Sequence, residues 1–285
     1  MTTRPVRKRS KSQPTLEGAG VRLRRAFGFG GTADTDPFLL LDDFRNDVPS
    51  DYLAGFPWHP HRGIETITYV LAGTVEHRDS LGNKGILGPG DVQWMTAGSG
   101  IIHQEMPKGD ADGRMYGFQL WANLPAALKM TPPRYQDVKA AEIPEFVDDD
   151  GTRVRIVCGG FRGRKGPVEG IAAAPIYLDV AVTGGVRKVI AVEPGRNAFA
   201  YVFDGGGTFA PGVEAGNRSL LLFGDGDEVV VEAGGAGVRF LLASGLPLEE
   251  PVAWRGPIVM NTQEELRQAF EELEKGTFLK ARIPA

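Results

Sequence analysis

Phe56-Pro57-Trp58-His59-Pro60-His61-Arg62-Gly63-Ile64-Glu65 decides the reading of this chain once it is set beside His103-Gln104-Glu105. Together the two stretches hold three of the four histidines in the sequence. A β-strand projects residues i and i+2 from one face, about 6.7 Å apart. His59 with His61, and His103 with Glu105, therefore each form a two-pronged clamp, and two clamps on facing strands would hold one ion. Three imidazoles and a carboxylate suit iron, nickel, copper, manganese, cobalt or zinc, whereas an all-oxygen set would suit calcium or magnesium. An isolated H-x-H is commonplace. Here the turn residues around it raise its weight: Gly55 and Gly73 bracket the first clamp, and Pro89-Gly90-Asp91 and Gly98-Ser99-Gly100 precede the second. His77 stands apart from both.

Outward from these clamps the chain reads as short β-prone runs cut by Gly, Pro, Asn and Asp, the texture of antiparallel sandwiches and barrels. Strands are expected at 66–71, 92–95, 118–122, 176–182, 198–203, 219–223, 229–231 and 240–243, with turns at Gly82-Asn83, Pro89-Gly90 and Gly224-Asp225-Gly226-Asp227. One segment differs. Thr262 followed by Glu265 forms a capping box, and Leu266, Ala269, Phe270 and Leu273 recur at helical spacing, which predicts a C-terminal helix over 263–275 that packs against the strands. The polar, proline-bearing stretch from Pro132 to Thr152 marks a domain boundary, giving domains 1–138 and 139–285. The second half repeats the turn pattern without a single histidine, so it is expected to be a degenerate copy of the first, structural rather than metal-binding.

Composition bounds the function. The 285 residues suffice for two domains, and 42% hydrophobic content is ordinary for a globular chain. A net charge of −4 gives no ground for nucleic-acid or anionic-membrane binding. Arg4, Arg7, Lys8, Arg9 and Lys11 read as a solvated basic tail leading into the first strand. The lone cysteine, Cys158, excludes an intrachain disulfide and reads as a small packed residue. No apolar run approaches the ~20 residues of a membrane span and no secretory signal is present, so a cytoplasmic protein is expected, with a monomer as its assembly state.

The two clamps and their glycines resemble the paired cupin motifs, and the strings Asp36-Pro37-Phe38-Leu39-Leu40-Leu41-Asp42, HPHRGIETITY (59–69), GDVQWMTAGSGIIHQEM (90–106) and FQLWANLP (118–125) resemble the pirin family within the cupins. The resemblance resumes at Glu250-Pro251-Val252 and at 256–262. It implies an all-β bicupin: two jelly-roll barrels packed together, with the short helix at the end. It implies one divalent ion, iron in most of the family, held by His59, His61, His103 and Glu105. Both Glu65 and Glu105 are open as the carboxylate ligand by parity; the family pattern, H-x-E in the second motif, selects Glu105 and leaves Glu65 to orient a ligand or line the barrel. The implied activity is quercetin 2,3-dioxygenase chemistry on a flat phenolic substrate and O2: Glu105 takes the proton of the flavonol 3-hydroxyl, oxygen adds across the heterocycle and carbon monoxide leaves. Phe56, Trp58, Trp94, Met95, Met106, Phe118 and Trp121 are candidates for the substrate's apolar surroundings. A different reading within the same family is a redox-sensing regulator that binds a transcription factor or a metabolic enzyme.

Overall fold

The computed structural model describes residues 2–280, in which strands joined by tight turns account for most of the chain. In chain order the first twelve strands are β1 (Val6–Lys11), β2 (Gln13–Glu17), β3 (Val21–Phe27), β4 (Phe38–Asp43), β5 (Phe56–His61), β6 (Ile64–Ala72), β7 (Thr74–Asp79), β8 (Lys84–Leu87), β9 (Val92–Thr96), β10 (Ile101–Lys108), β11 (Tyr116–Asn123) and β12 (Arg134–Val138). Among the described residues two compact units form, one from 13–32, 38–140 and 249–280, the other from 2–12, 33–37 and 141–248.

In the unit that carries the histidines, a seven-stranded antiparallel sheet runs β12-β9-β6-β11-β4-β3-β2 and faces a four-stranded sheet β5-β10-β7-β8. The inward residues meet in two clusters. Val21, Leu23 and Val70 of the larger sheet pack on Val75 and Leu87 of the smaller, while Leu39, Ile64 and Met95 pack on Ile101. Burying each such side chain stabilises the fold by roughly 1.5–3 kcal/mol before entropy is counted. These facing sheets are the expected jelly roll.

The second unit holds β1 as the edge of a sheet that continues through Ser219–Phe223, Asn197–Ala210, Glu228–Gly245, Ile176–Val182, Arg153–Cys158 and Glu145–Val147. Its core includes Val180, Ala200, Leu221, Phe240 and Leu242. The two long strands swing away together at Gly205, where φ is +60° and a Cβ would sit 2.1 Å from the Gly237 carbonyl oxygen, so only glycine fits. Cys158 is buried, its Sγ 3.6 Å from the Val168 carbonyl oxygen, in keeping with a packed thiol.

Two expectations need correction. A cut at 138/139 misplaces both ends of the chain, because the termini are exchanged between the units. The polar linker marks where the chain passes from one sheet to the other, but β1 pairs with Ser219–Phe223, and the hairpin Ala253–Arg255/Ile258–Met260 with the terminal helix joins the histidine-bearing unit. Nor is the basic start a tail, although Arg7, Lys8, Arg9 and Lys11 keep exposed side chains. It forms β1, and Arg4 is 1% exposed, its guanidinium donating to the carbonyls of Arg196, Gly224 and Glu193 at 2.8–2.9 Å. Basic composition alone does not reveal such carbonyl acceptors.

The terminal helix spans Gln263–Glu274 with the expected capping box: the Glu265 amide donates to Thr262 Oγ1 at 3.1 Å and the Thr262 amide to Glu265 Oε2 at 2.9 Å. Its buried Leu266 and Ala269 pack against Ala253, Ile258 and Met260. Among the described residues no helix is long and apolar enough to cross a membrane.

Candidate metal centre

The strands β5 and β10 lie side by side with His59 directly opposite His103 and His61 opposite Ile101. The register slips between His103 and Glu105, so that Glu105 faces Phe56. This bulge in β5 re-aims the side chains beyond it, as bulges beside functional sites commonly do. The result is a triad. The ligating nitrogens of His59, His61 and His103 lie within 4.8 Å of one another, and the ring centroids are 4.3 to 5.0 Å apart.

Each imidazole has its outer nitrogen committed elsewhere. His59 Nδ1 donates to the Pro57 carbonyl at 2.8 Å and His61 Nδ1 to the Pro257 carbonyl at 3.1 Å. His103 Nδ1 lies 3.4 Å from Nδ1 of His77. With the proton on Nδ1, each Nε2 of His59 and His61 presents a lone pair, and these two Nε2 atoms stand only 3.1 Å apart. Two facing lone pairs repel unless a cation lies between them. Nitrogens set at right angles on an ion with bonds of about 2.1 Å are about 3 Å apart, which matches. His103 Nε2 is buried with no protein partner. Burial lowers the basicity of all three rings, those of His61 and His103 strongly, keeping them neutral at physiological pH as ligands must be. The residues fit a divalent metal.

Glu105, expected as the fourth ligand, is outside the triad. Its Oε1 accepts from Thr68 Oγ1 at 2.9 Å, and burial pushes its pKa up to about 7 against the opposing pull of that bond. It lines the same cavity as His59 and His61, a space of about 440 Å³.

Glu65 is further removed. Thr68 of β6 faces the cavity, and β6 pairs with β9 and β11 without a slip from Glu65 to Tyr69, so alternation turns Glu65 to the opposite face. There its Oε1 accepts from Thr96 at 2.8 Å. The expectation that it orients a ligand or lines the barrel fails because the Arg62-Gly63 turn between β5 and β6, with Gly63 at φ +77°, resets parity.

Of the aromatic candidates, Phe56, Trp58 and Trp121 line the cavity; Trp94 and Phe118 are buried off it, and Met95 belongs to the core. Trp121 meets His61 edge-on at 5.1 Å, and Trp254 stacks on Phe29 at 4.2 Å near the mouth. Sequence reasoning missed Phe29 and Trp254, which come from distant segments, and it missed His77. That ring lies 5.1 Å from His103 and 4.9 Å from Tyr135, with Nε2 3.9 Å from buried Asp79. It is placed there by the pairing of β7 with β10, which sets His77 opposite Glu105.

Residues 20–122 match the family model "Pirin", and residues 177–279 match "Pirin C-terminal cupin domain". A pirin-like protein of Caulobacter vibrioides is 48% identical over 279 residues, covering 98% of this chain and all of that one. A solved structure of a quercetin 2,3-dioxygenase from Acinetobacter baumannii superposes with a TM-score of 0.88 at 30% identity, covering 97% of this chain and 98% of the other. The fold is also shared with a bacterial pirin from Escherichia coli solved in complex with nickel(II), at a TM-score of 0.65 and 24% identity over 84% of this chain and 98% of that one. This chain belongs to the pirin family.

Proposed function

We propose that this chain is a mononuclear metal enzyme that opens a flavonol such as quercetin with molecular oxygen, and that His59, His61, His103 and Glu105 are its metal ligands. The observation that carries the reading is the convergence of three imidazoles, two of which, His59 and His61, line an aromatic-walled cavity together with the buried Glu105. The quercetin 2,3-dioxygenase of Acinetobacter baumannii, with the same fold, supports the choice of substrate class. The resident ion is iron(II) on this reading, with nickel, copper, manganese, cobalt and zinc served by the same donors.

A divalent ion held here supplies Lewis acidity that stabilises a phenolate and orients the reactants. The protein does the rest. Trp121, Phe56 and Trp58 exclude water and hold a flat ring. Glu105, buried beside the histidines, is placed to accept a phenolic proton, and Thr68 holds the receiving carboxylate in place.

Metal analysis of the purified protein, combined with oxygen consumption on a flavonol panel, tests the proposal. About one equivalent of metal and flavonol-dependent oxygen uptake are expected. Stoichiometric metal with no uptake on any flavonol, together with redox-dependent capture of a protein partner, would instead make the chain a regulator.

A further inference from the structure

A row of polar side chains crosses the otherwise apolar wall of the cavity, one from each of four neighbouring strands. Thr68 of β6 lies opposite Gln119 of β11, Gln119 opposite Asp42 of β4, and Asp42 opposite Arg25 of β3. All four line the cavity, and Leu23, Leu40 and Phe44 surround them. Thr68 Oγ1 lies 2.9 Å from Glu105 Oε1 and 2.7 Å from the side-chain amide of Gln119. The hydroxyl has one proton to give, and two acceptor oxygens, Glu105 Oε1 and Gln119 Oε1, lie within its reach. At the other end Arg25 donates to both Asp42 oxygens, at 2.8 and 2.7 Å, and to Glu17 at 2.8 Å.

The row runs from the metal centre outward. Strands are about 4.8 Å apart, so Asp42 stands about 10 Å from Thr68, within reach of the far ring of a three-ring phenol whose chelating edge lies at the histidines. The far end carries one guanidinium against two carboxylates. It is therefore rich in acceptors, which favours hydroxyl donors and repels a carboxylate or phosphate. Burial pushes Asp42 up to about 6, against the pull of Arg25, so it is mostly ionised at neutral pH. Polar groups placed in an apolar wall penalise a ligand that covers them without bonding them.

We infer that Gln119, Asp42 and Arg25 form a specificity subsite that selects uncharged phenols bearing hydroxyl groups on the ring distal to the metal-chelating edge. This rests on the flavonol reading above and deepens it.

The test uses the full-length, metal-loaded protein under anaerobic conditions, with binding followed by quenching of tryptophan fluorescence. The two probes are 3-hydroxyflavone, which has the chelating edge alone, and quercetin, which has the same edge plus distal hydroxyls. Wild type should bind quercetin about 10-fold or more tightly, the increment of one hydrogen bond to a charged group. In Asp42→Asn and in Gln119→Leu that ratio should fall toward unity. Gln119→Leu leaves the Arg25–Asp42 pair intact and keeps the question answerable if Asp42→Asn does not fold. Equal affinities in wild type, or an undiminished ratio in the variants, would overturn the subsite while leaving the flavonol reading intact. A discriminating wild type that consumes no oxygen would uphold the subsite and sink the dioxygenase. If neither flavonol binds, both fall.

Discussion

His77 bears on the metal without lining the cavity. With its Nδ1 3.4 Å from that of His103, and its own ring held between Tyr135 and the Asp79 carboxylate, it steadies the orientation that leaves His103 Nε2 facing the other imidazoles. Partners of this kind commonly contribute a 10- to 100-fold factor in metal affinity. His77→Ala should therefore weaken metal binding by about that factor, measured by competition with a chromophoric chelator; unchanged affinity would show that His103 needs no such support. His59→Ala, His61→Ala and His103→Ala should each strip most of the metal, since two imidazoles remain. Glu105→Gln should keep much of the metal on three imidazoles and lose flavonol-dependent oxygen uptake, whereas near wild-type uptake would remove Glu105 from the base role. The three triad histidines were legible because i, i+2 spacing survives in any strand. His77 was not, because its proximity to His103 depends on which strand lies beside β10.

At the scale of the element, the Arg62-Gly63 turn separates what the sequence runs together. His61 and Glu65 are four residues apart and would share a face on one unbroken strand, but β5 and β6 lie in different sheets. Gly63 is also where the C-terminal hairpin comes closest: a Cβ there would lie 1.9 Å from the Val259 carbonyl oxygen. Glu65, on the far face of β6, consequently makes a distinct prediction. Burial raises its pKa from an ordinary 4.5 to about 7, Thr96 opposing, so the folded state binds the proton more tightly than the unfolded chain. Stability contributed by the neutral carboxyl is present at low pH and declines as pH rises through that interval, by up to about 3 kcal/mol. Glu65→Gln keeps the acceptor for Thr96 and removes the ionisation. The variant should hold its metal and turnover, and its Tm should fall less than that of wild type between pH 5 and pH 8. Parallel pH profiles for the two proteins would mean that Glu65 titrates normally, and a loss of metal would return it to the site. Short β-runs and their turns were readable from composition, but side-chain parity across a two-residue turn was not, because it depends on a single positive φ.

For the whole molecule, the exchange of termini determines what can be cut. The sequence showed two similar halves and a polar linker, and it placed the helix correctly, yet pairing between distant segments left no local mark in composition. The C-terminal stretch reaches the candidate metal centre through contacts to His61 and Arg62 within its own unit. The Pro257 carbonyl accepts from His61 Nδ1 at 3.1 Å and so fixes the tautomer that frees Nε2. The Val259 amide donates to the Arg62 carbonyl at 3.1 Å, beside that ligand in sequence. The buried Arg62 guanidinium pairs with Glu272 at 2.8 Å, donates to the Phe278 carbonyl at 2.7 Å and lies over the Phe278 ring at 4.2 Å. Ending the chain after Leu248 retains all four proposed ligands but removes Glu272 and Phe278 from Arg62 and the acceptor from His61. The truncated chain should lose most of its bound metal, and its melting transition should be lower or lost, both measured beside the full-length protein. Pro257 offers a milder test, because its contribution is a backbone carbonyl: Pro257→Ala in the intact chain should retain metal within a few-fold. If the truncated chain bound metal as tightly as the full-length protein, the C-terminal hairpin and helix would be dispensable to the centre, and the tautomer of His61 would have to be set by β5 alone.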